Sequence, residues 1–286
     1  MRTRFALLLP AVALATALTA CGDDGPSKAE FVAKADAACV PGNTAISTTA
    51  KPTNAPQVAT AAGTATTTID GQVTSLRAMK TPGGSDKAQI QGFITALADV
   101  SAPTKALQDA AGKTDDVAMA KAAQDMQAKA DAAATSAQSV GLAQCGTQLK
   151  FGLGNMFDGV KNVVKSSYVT KANAVCTTFV DKVEALSGPG STMPSVARFL
   201  DAFLTHSTKL ATDLKAIPVP PGDQAKVDEF LASLDALNTK FRDASAAAKA
   251  NNPTRAVTLL DEIDPATDQL NAKFDAYGLP ACGSGS

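Results

Sequence analysis

Apolar residues recur every three or four positions through the second half of the chain. Four such stripes follow residue 167, and the first contains Tyr168, Ala172, Val175, Phe179 and Val183. This period places the apolar side chains on one face of an α-helix. The stripes are separated by short breaks rich in glycine, proline and asparagine, at 187–191, 218–222 and 251–253. Four amphipathic helices joined by short connections predict an up-down-up-down four-helix bundle.

The first half of the chain repeats this plan with smaller side chains. Alanine and threonine stand where the second half has phenylalanine and leucine, so residues 28–145 hold two aromatic residues whereas residues 168–283 hold eight. Pro103 is expected to kink the third helix of this half, because a proline inside a helix removes a hydrogen bond and clashes with the preceding turn. We expect the first bundle to be the less stable one, and its alanine-rich core is where a cavity is most expected.

The two halves also share two sequence motifs. The segment Phe31-Val-Ala-Lys-Ala-Asp-Ala-Ala-Cys39 returns 137 residues later as Tyr168-Val-Thr-Lys-Ala-Asn-Ala-Val-Cys176. Gly141-Leu-Ala-Gln-Cys145-Gly146 returns at the same distance as Gly278-Leu-Pro-Ala-Cys282-Gly283. Self-similarity at a fixed period indicates duplicated structural units. The sequence therefore predicts an all-α protein with two tandem helical domains, at 28–146 and 168–283, followed by a short tail at 284–286.

Residues 147–167 connect the two predicted domains and also carry a helical stripe, formed by Leu149, Leu153, Met156, Val160 and Val164. Lysines accompany the stripe. One interpretation is a helix that lies on a membrane surface or binds a partner. The other is a helix that runs on into the first helix of the second bundle and packs between the domains.

The amino-terminal residues have the pattern of a bacterial export signal. Arg2 and Arg4 precede an apolar run at 5–18 that is too short to span a bilayer. The segment Leu18-Thr-Ala-Cys21 resembles the bacterial lipobox. That resemblance implies a signal peptide at 1–20, cleavage before Cys21, attachment of diacylglycerol to its thiol, and a lipidated tether at 21–27. An ordinary signal peptide with a fortuitous cysteine is the alternative.

The cysteine count agrees with lipidation. The chain has five cysteines, and an odd number in a secreted protein calls for an explanation. If Cys21 carries lipid, the other four can form two disulfides in an oxidising compartment. Three pairings are possible, and the repeat selects Cys39–Cys145 and Cys176–Cys282, because each duplicated unit then closes on itself. Each bond would stabilise its domain by roughly 4–5 kcal/mol in the chain-entropy picture.

Candidate chemistry is sparse. Neither copy carries an excess of basic residues, so we expect no nucleic-acid binding. His206 is the only histidine, and its place beside an apolar stripe favours an ordinary helix residue over a catalytic or metal-binding one. An acidic group at 261–268 could bind a cation weakly, although a solvated helix face is the favoured interpretation. We expect no cofactor, no metal site and no enzymatic activity.

Taken together, the two motifs and the proline connector Pro218-Val-Pro-Pro-Gly222 resemble uncharacterised secreted helical lipoproteins of high-GC Gram-positive bacteria. The first copy departs from this pattern at its own connector, Thr81-Pro-Gly-Gly84. The resemblance implies a helical fold at the extracytoplasmic face of the cell membrane, held there through lipid on Cys21. It implies no activity. The leading hypothesis is a helical interaction module with an envelope protein partner; the alternative is a carrier for a small apolar ligand held in a bundle core.

Overall fold

The computed structural model describes residues 25–283, and within this range every regular element is a helix. The helices are α1 (Lys28–Ser47), α2 (Ala55–Ala78), α3 (Gly84–Ala98), α4 (Ser101–Gly112), α5 (Asp116–Val140), a turn of π-helix (Gln144–Gln148), α6 (Leu149–Glu184), α7 (Met193–Lys215), α8 (Gln224–Lys249) and α9 (Pro253–Tyr277). The predicted all-α class is thus confirmed. The predicted signal peptide, Cys21 and the tail at 284–286 lie outside the described residues.

The first hydrophobic core is built from α1 to α5 together with the amino-terminal half of α6. Helix α1 packs against α2, α2 against α4, and both α3 and α4 against α5. The helical hydrogen-bonding pattern is interrupted between α3 and α4, just before Pro103, although Asp99 and Val100 keep right-handed helical backbone angles. The proline ring conflicts with the carbonyl of Asp99, four residues earlier, which explains the break. Helices α3 and α4 together therefore occupy the place of the predicted third helix.

The second core is built from the carboxy-terminal half of α6 with α7, α8 and α9. Helix α6 packs against α7, α7 against α8, and α8 against α9. Aromatic rings fill one end of this core, where Tyr168 and Tyr277 meet edge to face with ring centroids 5.7 Å apart. Phe230 lies 5.1 Å from Phe274 and 5.5 Å from Tyr277. These distances are typical of favourable aromatic pairs.

Helix α6 belongs to both cores. Its stripe from Leu149 to Val164 is buried in the first core, whereas Tyr168, Ala172 and Cys176 are buried in the second. The segment at 147–167 therefore does run on into the first helix of the second half, but it packs within the first core and not between two domains. Across residues 25–283, no helix combines the length and the hydropathy that crossing a bilayer requires.

Glycines allow α6 to approach the first core closely. A Cβ atom added to Gly159 would lie 2.4 Å from Pro52 Cδ and 2.9 Å from both the backbone nitrogen and the backbone oxygen of Pro52. One added to Gly152 would lie 3.2 Å from Ile46 Cγ2. The helix backbone thus lies directly against α1 and the connection at 48–54. A larger residue at position 159 would force the two apart.

The helix boundaries repeat along the chain. Helix α5 begins at Asp116 and ends at Val140, and α9 begins at Pro253 and ends at Tyr277, so each boundary of α9 lies 137 residues after that of α5. The start of α7 is shifted by one more residue, because its N-cap Thr192 lies 138 residues after Asn54, the N-cap of α2, whereas its last residue, Lys215, lies 137 residues after Ala78.

Glycines end α5 and α9 in the same way. Gly141 and Gly278 follow the two helices in the left-handed conformation, with φ of 94° and 97°. That region of backbone space favours glycine over every other residue. The second helix end was therefore expected from its sequence, and the first repeats it.

Two disulfides tie the helix ends together. Cys39 is bonded to Cys145 and Cys176 to Cys282, with Cα atoms 5.1 Å and 4.9 Å apart, and each bond spans 106 residues. These are the pairs that the repeat predicts. In each case a cysteine inside a helix, Cys39 of α1 or Cys176 of α6, is bonded to one on the segment that follows α5 or α9.

Polar side chains hold the same segments in place. The Asp36 carboxylate accepts hydrogen bonds from the backbone amides of Ala143, Gln144 and Cys145, at 3.0, 2.8 and 3.3 Å. Its counterpart 137 residues later is Asn173, whose side-chain oxygen accepts one bond from the Ala281 amide at 3.1 Å. The first segment is thus held by a charge with three donors, and the second by a neutral side chain with one.

Another proline lies inside a helix. The dipeptide Asp264-Pro265 has a sequence that can restart a helix, but α9 continues through Pro265 without a break. Both Asp261 and Pro265 are exposed, so water can reach the Asp261 carbonyl that loses its usual partner.

Candidate ligand-binding cavity

A cavity of about 700 Å³ opens into the second core. All four helices of that core contribute to its wall, and most of the side chains that line it are apolar. They include Phe179 of α6, Phe203 of α7, Phe241 of α8 and Phe274 of α9. The volume lies within the range of about 300–1,000 Å³ that is usual for sites of small ligands.

Three of the phenylalanine rings form a contiguous wall. Phe203 meets Phe179 edge to face, with ring centroids 5.8 Å apart, and lies 4.4 Å from Phe241. All three are only half-buried, although they belong to the core of the unit. Aromatic side chains in such a position gain free energy when a further apolar group covers them.

Two of the polar side chains that line the cavity are already paired. Ser207 Oγ donates a hydrogen bond of 2.5 Å to Asn238 Oδ1, and both residues are buried. Thr267 Oγ1 donates to the Ile263 carbonyl within its own helix. The interior therefore offers apolar contact and little demand for hydrogen bonding.

The rim of the cavity is acidic on the side of α9. Asp261, Asp264 and Asp268 are exposed and line the opening. Glu262 faces away and forms an ion pair with Lys240 at 2.8 Å, and its hydrogen bond with Lys240 lowers the pKa of that carboxyl below its usual range. The acidic group thus divides between a cavity rim and an outward ion pair. Within residues 25–283 no group of histidine, cysteine and acidic side chains is arranged to hold a metal ion.

Helix α6 and helix α9 border the open side of the second unit, which consists of the carboxy-terminal half of α6 with α7, α8 and α9. The other neighbouring helices of the second core pack against one another in sequence, and no comparable packing joins α6 to α9 in the described part of the chain. Val183 of α6 and Leu260 of α9 line the cavity from its two sides. The gap between the first and fourth helices of the unit is therefore its entrance.

The first unit has no comparable opening at this place. The space bounded by Ile46, Ala61, Ala65, Gly152 and Met156 measures about 10 Å³. The expectation that the alanine-rich core would hold the cavity was wrong. Its short side chains leave room that the amino-terminal half of α6 fills, whereas the bulky side chains of the second unit surround a space that no described segment enters.

The residues singled out in the sequence fall at different distances from the cavity. Cys282 lines it, and its disulfide with Cys176 closes one end. His206 is half-buried on α7 and is not among the lining residues. From the sequence, the phenylalanines of the aromatic wall could be assigned only to the apolar faces of their helices. A stripe gives the direction of a side chain but not whether anything covers it.

A second opening of about 540 Å³ lies at the other end of the unit, beside Lys165, Lys226 and Lys273. Lys165 Nζ lies 4.8 Å from the centroid of the Tyr277 ring and 3.6 Å from the Asp223 carboxylate. The Tyr277 hydroxyl donates to Asp223 at 3.0 Å. Burial, followed by this acidic neighbour, raises the pKa of Tyr277 above its usual value. Lys165, Asp223 and Tyr277 thus contact one another, and we interpret this end as stabilising the fold and not as a binding site.

Comparison of the chain with protein-family models, curated proteins and solved structures yields no match.

Proposed function

We propose that the chain is a lipoprotein anchored at the extracytoplasmic face of the bacterial membrane, and that it works as a binding module and not as an enzyme. In this proposal residues 1–20 are a signal peptide, Cys21 carries the lipid, and two tandem four-helix units follow, at 28–146 and 168–283, each closed by its own disulfide. The two disulfides favour an oxidising compartment. The matching helix ends and left-handed glycines support the tandem arrangement.

The observation that carries the binding role is the half-covered aromatic wall of the second unit. Large exposed apolar surfaces on soluble domains mark sites of interaction. The residues that line the cavity include no histidine, lysine or arginine, and the one cysteine is bonded. They therefore supply mainly apolar surface, and their carboxylates lie exposed at the rim, which favours binding over catalysis. An envelope protein is the partner that we propose.

A photo-crosslinking experiment in the producing cells tests this role. A photoreactive amino acid replaces Val183 at the entrance, and the matched control replaces Val117, which is 55% exposed on α5 of the first unit. We expect a reproducible protein adduct from position 183 only. Equal labelling at both positions, or no adduct at position 183, would count against a partner at the cavity.

A second candidate function is a carrier for a small apolar ligand. The observation that favours it is the volume of about 700 Å³, which suits one such molecule. Native mass spectrometry of the protein purified from its own envelope distinguishes the two roles. A copurifying small molecule of constant mass is expected for the carrier, whereas the interaction module is expected at the mass of the chain and its lipid alone.

The anchor is tested separately. Growth with a labelled fatty acid is expected to label the natural protein, and Cys21→Ser is expected to abolish the label and release the chain from the membrane fraction. Retention of both properties by the variant would refute lipidation at this position.

A further inference from the structure

The first unit shows how the gap between its first and fourth helices is closed. The amino-terminal half of α6 packs against α1, α2 and α5. It brings the side chain of Met156 and the backbone at Gly152 against Ile46, Ala61 and Ala65. Ala61 and Ala65 are 4% and 1% exposed as a result. A single amphipathic helix thus completes this unit.

The corresponding positions in the second unit line its cavity. Val183 lies 137 residues after Ile46, and Phe199 lies 138 residues after Ala61, the shift that applies between α2 and α7. The covered alanine of the first unit corresponds to a half-buried phenylalanine in the second. The cavity therefore occupies the place that a helix fills in the first unit, and no segment within residues 25–283 fills it.

The two units also share an acidic residue at the place where a helix is bound in the first unit. Lys150, on the helix that fills the first unit, lies 2.8 Å from Asp131 of α5. The residue 137 positions after Asp131 is Asp268, on the rim of the cavity. Asp261 and Asp264 lie on the same rim, and in the described part of the chain no lysine or arginine forms an ion pair with any of the three. The rim thus carries Asp268, the counterpart of Asp131, but no described lysine takes the place of Lys150.

We propose that the cavity of the second unit is a groove for an amphipathic helix of the partner protein, with an apolar stripe toward the phenylalanines and lysine or arginine toward Asp261, Asp264 and Asp268. This inference rests on the proposed binding function and names the chemistry of the partner. Helix-in-groove recognition uses apolar anchors at positions i, i+3 or i+4, and i+7. Residues 149–164 show that spacing in the first unit. The first and last of the three aspartates lie seven positions apart on α9, roughly 10 Å along the helix axis, so they face about two turns of the bound helix.

The test uses the full mature chain with Cys21→Ser, disulfides intact, and isothermal titration calorimetry. The probe is a synthetic 21-residue peptide with leucines at the spacing of the 149–164 stripe and lysines along one flank. One control peptide has the same composition with the leucines scrambled, and a second has glutamate in place of lysine. We expect saturable one-to-one binding of the probe, at least about tenfold tighter than either control.

Two protein variants and a matched control localise the binding. The double variant Asp264→Lys, Asp268→Lys is expected to weaken the affinity for the probe about tenfold, because two carboxylates that attract the lysines of the probe are replaced by two ammonium groups that repel them. Asp228→Lys with Asp243→Lys makes the same charge change on exposed positions of α8 away from the cavity, and is expected to leave affinity within about twofold. Thr267→Trp, which fills the cavity from its wall, is expected to abolish binding while the circular dichroism spectrum stays helical.

Other outcomes separate the two proposals. Equal affinity for the striped and scrambled peptides, or equal effects of the two double variants, overturns the helix groove. A copurifying apolar molecule that the peptide cannot displace also overturns it, but leaves a binding function in place. Absence of peptide binding, of a copurifying molecule and of a crosslink at position 183 overturns both.

Discussion

Replacement of Gly159 by alanine tests whether the shared helix truly belongs to the first core. A Cβ at this position would lie 2.4 Å from Pro52 Cδ and 2.9 Å from two backbone atoms of the same proline. Backbone atoms cannot move aside as a side-chain tip can, so the helix or the connection has to shift, at a cost of roughly 1–3 kcal/mol. Alanine recovers up to about 1 kcal/mol through its higher helix propensity. The expected net effect is a loss of up to about 2 kcal/mol.

Gly154 provides the matched control on the same helix. No atom lies within 4 Å of a Cβ added there, so only the propensity term remains. Gly154→Ala is expected to stabilise the protein by about 0.5–1 kcal/mol. Because both variants share the propensity gain, they should differ by the steric cost alone, about 1–3 kcal/mol, with Gly159→Ala the less stable.

Urea denaturation followed by two signals measures the difference. Far-UV circular dichroism reports all helices, whereas tyrosine fluorescence reports the second core alone, because the chain has no tryptophan and its two tyrosines, Tyr168 and Tyr277, are both buried there. We expect Gly159→Ala to lower the dichroism midpoint and to move the fluorescence midpoint less. If both alanine variants stabilise the protein equally, residues 149–164 do not pack against Pro52 and the shared helix has been misassigned.

Three further predictions follow from the two cores. Burial raises the pKa of Tyr168 to about 12 and also raises that of Tyr277. Because an unfolded tyrosine titrates near pH 10, the contribution of these residues to stability is present below about pH 10 and is lost as pH rises toward 12. Tyrosinate absorbance near 295 nm should therefore appear only together with unfolding, and reversible ionisation at pH 10 in the folded protein would contradict this. Asp36→Ala removes the acceptor of three backbone amides and is expected to cost about 2–3 kcal/mol in urea denaturation, against about 1 kcal/mol for Asn173→Ala; a larger loss for the asparagine would mean that the charge adds nothing. Replacing either cysteine pair by serine should lower the free energy of unfolding by up to about 4–5 kcal/mol. After reduction of both disulfides we expect the first unit to unfold at a lower urea concentration than the second, because its core relies on alanine. Earlier loss of the tyrosine signal would refute that order.

The helices could be predicted wherever local chemistry determines them. Stripes of phenylalanine and leucine, the left-handed Gly278, and Asn252 before Pro253 each act within a few residues of chain. Thr114 and Asp115 both precede α5 and are both of a residue type that caps helices; Thr114 adopts φ of 52°, and Asp115 caps the helix by accepting from the Ala118 amide. Neighbouring polar residues compete for such a role, and one residue of displacement lies within the uncertainty of any local rule.

The cavity could not be predicted, because it depends on four helices at once. Phe203 and Leu210 form the same kind of stripe as Ile69 and Val73, and a stripe indicates only which side faces inward. Whether the inner space closes depends on the summed volume of all facing side chains and on any segment inserted among them. Residues 149–164 fill this space in the first core, and their sequence also allowed a helix on a membrane surface.

The helix that serves two cores also determines where the polypeptide can be divided. A fragment that stops at Gly146 would leave Ile46, Ala61 and Ala65 facing water, and we would expect it to self-associate. A fragment that continues to Val164 retains every apolar side chain of its interior. The usable boundary for independent production of either half therefore falls inside a continuous helix, between Val164 and Tyr168, and not in any of the loops.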